Sequence, residues 1–88
     1  SYLFLFWKIV VFSKSSCPFC IKTKELLKQS EFENVSIDIY ELDKMPANQP
    51  KGPALQFTLR EITGHRTVPS VWVNGKFVGG NDTTQALY

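Results

Sequence analysis

Residues 8–24 read KIVVFSKSSCPFCIKTK. The first six are a continuous β-branched and aromatic run, the pattern of a short strand buried on both faces. From Pro18 the residues "PFCIKTKELLKQS" are rich in helix formers, with a proline suited to a first turn and Ser16 or Cys17 at the capping position. A strand therefore runs straight into a helix, and both cysteines of the chain, Cys17 and Cys20, fall at the joint. A helix N-terminus favours negative charge through its unpaired N–H groups and its dipole, and Lys14 adds a cation close by. A free cysteine titrates near about 8.5 and reacts as its thiolate, so these features make Cys17 the natural nucleophile. Cys20, a turn further in, can attack a mixed disulfide formed on Cys17 and release the product as an internal disulfide.

Outward from this joint, "VSIDIYEL" (residues 35–42) alternates Val35, Ile37 and Ile39 against Ser36, Asp38 and Tyr40, a second strand with unlike faces. "MPANQPKGP" (residues 45–53) concentrates proline and glycine and reads as a loop. Leu55, Leu59 and Ile62 then recur at helical spacing up to Gly64, which ends a second helix. "VPSVWVNGKFVGG" places two apolar runs around Asn74-Gly75, a pair that accepts the positive φ angles of a tight hairpin. Asn81 or Asp82 caps a third helix that stops within about two turns. The order β-α-β-α-β-β-α predicts an α/β fold, a mixed sheet flanked by helices.

The totals bound the function. A chain of 88 residues holds one small domain, expected over 1–88, and its composition shows no repeat or biased segment. Ten Lys and Arg against eight Asp and Glu leave a charge of +2, too small to argue for nucleic acid; a small anionic ligand suits it better. The apolar start "SYLFLFWKIVVF" is interrupted by Lys8 and is far shorter than the roughly 20 residues that span a bilayer, so no membrane partner is expected. No basic leader followed by a small-residue cleavage site is read. Two cysteines so close together shut a loop too short to stabilise the chain by entropy, which points to chemistry in a reducing, cytoplasmic setting. A zinc site wants four ligands and the chain adds only His65 to the cysteines, so no metal is expected. His65 itself reads as a solvated loop residue, and Trp72 and Phe77 as packing side chains on strands.

"FSKSSCPFC" resembles the active-site stretch of the dithiol glutaredoxins. "TVPSVWVNGKFVGG" followed by "ND" resembles that family's second signature, in the right order and at the right separation. The resemblance covers residues 8–88 and implies a thioredoxin-like fold, a four-stranded mixed sheet flanked by helices. It also implies glutathione as cosubstrate with no permanently bound cofactor. Carried over by position, Cys17 is the nucleophile and Cys20 the resolving thiol, while Lys14, Phe19 and Gln56 border the bound tripeptide. Val68 offers its backbone, and the proline matching Pro69 is cis. Asn81 and Asp82, after Gly80, surround the γ-glutamyl end, with Thr67 and Arg66 nearby. The activity so implied is reduction of protein–glutathione mixed disulfides and protein disulfides by a monomer, its partners being glutathionylated or disulfide-containing proteins.

Three departures stand out. Phe19 replaces a usual tyrosine, residues 1–7 do not read as the family's amphipathic first helix, and the last helix is shorter than the family's. Other functions compete with the preferred one. A thioredoxin-type reductase would draw electrons from a reductase protein, but the residue immediately before Cys17 is Ser16, not a tryptophan, and the Gly-Gly-Asn-Asp stretch argues for glutathione. A carrier of a [2Fe-2S] cluster would be bridged by Cys17 thiolates and glutathione, and Pro18 disfavours it. An inert fragment that keeps the motif without holding glutathione is the third alternative.

Overall fold

The computed structural model describes residues 7–29 and 32–87, so the apolar segment 1–6 lies outside the described residues. The elements follow the expected order: β1 (Lys8–Ser13), α1 (Pro18–Leu27), β2 (Ser36–Glu41), α2 (Gly52–Thr63), β3 (Ser70–Val73), β4 (Lys76–Gly79) and α3 (Asn81–Leu87). They form one mixed sheet in the order β2-β1-β3-β4, with β1 parallel to β2 and antiparallel to β3. The β1 strand is central and continuous with the cysteine turn, so the sheet itself holds the reactive segment. The β3–β4 hairpin turns at Asn74 and Gly75, both at positive φ (52° and 80°), the backbone that a two-residue hairpin needs.

One face of the sheet is sealed. Ile9 and Val11 from β1, Val71 from β3, and Leu26 and Leu27 from α1 form a single buried cluster with Phe32 and Val35. Each such side chain contributes roughly 1.5–3 kcal/mol by leaving water, and this cluster is the main source of stability. Helix α3 packs on the same side, against α1 and the ends of β3 and β4.

The other face is covered by α2, and here the structure departs from the sequence reading. Leu55 and Leu59 are only half-buried, Ile62 is 68% exposed, and Gly52 is the buried residue of that helix. Apolar spacing fixed the helix but not how far it would sink. Gly52 and Pro53, expected in the preceding loop, start the helix instead, because a proline is well tolerated in a first turn. Gly52 is pressed so close to the main chain of Leu42 that a Cβ there would collide with the Leu42 carbonyl. Between α2 and the sheet lies a hollow of about 440 Å³ lined by Val10, Phe12, Tyr40 and Leu55.

Candidate active site

Of the two capping candidates, Ser16 and Cys17, the structure takes Cys17 as the N-cap of α1, and Pro18 opens the helix as expected. The turn is held from both sides. The Cys17 N–H donates to the Lys14 carbonyl at 3.1 Å, while Asp43, just past β2, accepts from the Ser15 N–H (3.0 Å) and the Ser15 hydroxyl (2.5 Å). Those bonds hold the Asp43 carboxyl below its ordinary range.

Both cysteines are free, and they differ in their surroundings. Burial works against a charge on Cys17, but the Cys20 N–H, the Cys20 thiol, the Phe19 N–H and the Lys14 ammonium outweigh it, so its pKa falls below the ordinary thiol value. Cys20 is fully buried, and that burial pushes its thiol up despite an N–H from Lys14 at 3.5 Å from the sulfur. The surroundings thus favour the thiolate at one sulfur and the thiol at its neighbour.

The Cys17 sulfur lies 3.9 Å from the Val68 carbonyl, at the edge of a groove of about 490 Å³. The groove is walled by Phe19, Thr67, Val68, Pro69, Gly80, Asn81 and Asp82. Seven of the residues assigned from sequence therefore come together beside the reactive sulfur. The Val68–Pro69 peptide is cis. Gln56 and Arg66 line a neighbouring hollow with Pro53, Phe57 and Arg60, and the Gln56 amide donates to the Arg66 carbonyl at 3.5 Å. Lys14 lines neither and acts on Cys17 through its charge.

The structure corrects the reading of His65. It is half-buried in the groove wall, with its Nε2 3.2 Å from the Pro69 carbonyl and its ring 5.3 Å from that of Phe77. The same ring abuts Gly80, where a Cβ would come within 3.2 Å of it. Phe77, read as a packing residue, packs on Trp72 at 5.5 Å and also lines the groove. Sequence reasoning missed Asp43 and Thr23 as well. Their partners, Ser15 and Asn81, are 28 and 58 residues away, so no local pattern announces them.

The glutaredoxin family model matches residues 9–78, from within β1 into β4. The chain belongs to the glutaredoxin family. Its sequence is 43% identical over 81 residues to rice glutaredoxin-C6, covering 90% of this chain and 64% of that protein. The chain thus spans just under two thirds of that relative. Among solved structures, a wheat glutaredoxin superposes with a TM-score of 0.75 at 47% identity, covering 90% of this chain and 68% of its own. A buckwheat glutaredoxin–glutathione complex superposes with a TM-score of 0.74 at 35% identity, covering 91% and 66%. The fold is that of the glutaredoxins, a thioredoxin-like mixed sheet.

Proposed function

We propose that this glutaredoxin reduces glutathione mixed disulfides of proteins, and protein disulfides, with glutathione as cosubstrate. The observation that carries the reading is a single one: a cysteine favoured as thiolate at the start of α1, with its sulfur 3.9 Å from Val68 at the edge of a peptide-sized groove. The likeness to a glutaredoxin solved with glutathione supports it.

In the monothiol route the Cys17 thiolate attacks the glutathionyl sulfur of a mixed disulfide. The disulfide bond between that sulfur and the protein's cysteine sulfur breaks, the protein thiolate leaves and takes up a proton, and Cys17 carries the glutathionyl group. A second glutathione thiolate attacks that glutathionyl sulfur, forming glutathione disulfide and restoring Cys17. With a protein disulfide, Cys17 forms a mixed disulfide and releases one protein thiol. Cys20 then gives up its proton and attacks the Cys17 sulfur, freeing the second protein thiol and leaving a Cys17–Cys20 disulfide. Two glutathiones reduce that bond to the dithiol and become glutathione disulfide. Burial raises the Cys20 pKa and so disfavours its thiolate, which favours the monothiol route for glutathionylated substrates.

The groove supplies recognition. Asp82 suits the γ-glutamyl ammonium, and Arg66 with Gln56 suits the glycyl carboxylate in the neighbouring hollow. The test is glutathione-dependent reduction of a glutathionylated peptide by the wild type, Cys17→Ser and Cys20→Ser. Turnover by wild type and Cys20→Ser with a dead Cys17→Ser is expected. A folded but inactive wild type would remove the glutathione assignment.

A further inference from the structure

Thr23 sits on α1, one turn beyond Cys20, and is fully buried. Its hydroxyl donates to the Asn81 side-chain oxygen at 2.9 Å, joining the helix that carries both cysteines to the wall of the groove. A second donor meets the same oxygen: the Gln85 side-chain amide, at 3.2 Å. That amide also lies 3.5 Å from the Lys22 carbonyl, so Gln85 is itself tied to α1.

A carboxamide oxygen offers two acceptor sites, and Thr23 and Gln85 fill them. The polar atoms that Asn81 keeps for a ligand are N–H donors. Orientation of an asparagine amide follows from such a network: the Gln85 amide, turned toward the Lys22 carbonyl, presents N–H to Asn81 and selects its oxygen, and the Thr23 hydroxyl donates to that same oxygen. We infer that Thr23 is a positioning residue for glutathione: with Gln85 it fixes the Asn81 carboxamide so that the groove wall beside Asp82 offers N–H donors, not an oxygen, to a ligand carboxylate.

Two consequences follow from the chemistry. With the oxygen held against α1, the wall attracts the α-carboxylate of the bound tripeptide; with the amide reversed, it would set one acceptor against another. The same bond also joins that wall to the helix bearing Cys17. A buried threonine that served packing alone would change stability and leave ligand affinity untouched.

The inference rests on the glutathione reading above, and its test separates the two. KM for a glutathionylated peptide and kcat are measured at saturating glutathione, together with the rate at which iodoacetamide alkylates Cys17. Thr23→Val, which removes the hydroxyl and keeps the shape, is expected to raise KM about three- to tenfold, the range of one lost hydrogen bond. Its kcat and alkylation rate stay at wild-type values, because the interaction is made equally in the ground and transition states. Thr23→Ser restores the wild-type KM. Gln85→Ala, at an exposed position, raises KM in the same direction by less, and it keeps the inference open to refutation if Thr23→Val fails to fold. A folded Thr23→Val with wild-type KM overturns the inference, as does a Thr23→Ser variant impaired as much as Thr23→Val. An unchanged KM in Gln85→Ala, where Thr23→Val does not fold, also overturns it. Failure of the wild type itself to act on the glutathionylated peptide sinks the glutathione reading and takes the inference with it.

Discussion

On the α1 and α3 side of the sheet Ile9, Val11 and Val71 are sealed from water, whereas on the α2 side Val10, Phe12 and Trp72, from the same strands, remain half-exposed. Alternation along β1 sends its neighbours to opposite faces, so the contrast comes from what lies over each face and not from composition. The sealed side is where the chemistry sits. A difference in protonation between two thiols three residues apart needs a dry interior on one side of the helix start and donors on the other, and α1 over the core provides both. The α2 side contributes the hollow of Gln56 and Arg66, at the surface, and Phe77, which packs on Trp72 and lines the groove. Stability and reactivity thus share one face.

This comparison breaks if the two faces respond alike to truncation. The largest effect is expected from Leu26→Ala in the sealed cluster, a loss of about 2–4 kcal/mol by denaturant unfolding. Gly52→Ala comes next, at about 1–3 kcal/mol, because the added methyl must displace the Leu42 carbonyl and with it the seat of α2. A smaller effect lies at the joint between the sheet and α1. There burial opposes a charge on Glu41, but the Lys24 ammonium at 2.7 Å holds its carboxyl below the ordinary value. A carboxyl depressed in the folded state contributes stability that is complete above its unfolded pKa and is lost as pH falls through the folded one. Acid titration of stability should therefore show a decline that Glu41→Gln flattens, by a modest amount since the pair keeps a wet edge. The smallest effect, within about 0.5 kcal/mol, is expected at Ile62→Ala on the open side of α2. A loss at Ile62 equal to that at Leu26 would erase the distinction.

The legibility of the sequence divides along the same line. The β1–Cys–α1 joint, the Asn74-Gly75 hairpin and the element order could be read because each depends on neighbours in the chain. The groove came from motif resemblance, and seven assigned residues do line it. What could not be read depends on distant partners. The stripe Leu55, Leu59 and Ile62 has the period of a buried helix face, yet nothing local says how closely α2 approaches the sheet. His65 looked solvated between Gly64 and Arg66, but the Pro69 carbonyl, the Phe77 ring and the close approach of Gly80 hold it inward. Thr23 reads as an ordinary helix residue until α3 brings Asn81 beside it.

The central claim, that the fold lowers the Cys17 pKa and raises that of Cys20, is tested most directly by iodoacetamide labelling across pH with the modified site located by mass spectrometry. The account predicts a single label on Cys17 at neutral pH, with a midpoint below that of an ordinary thiol, and labelling of Cys20 only at higher pH. Equal labelling of the two sulfurs, or a Cys17 midpoint at or above the ordinary thiol value, would contradict it.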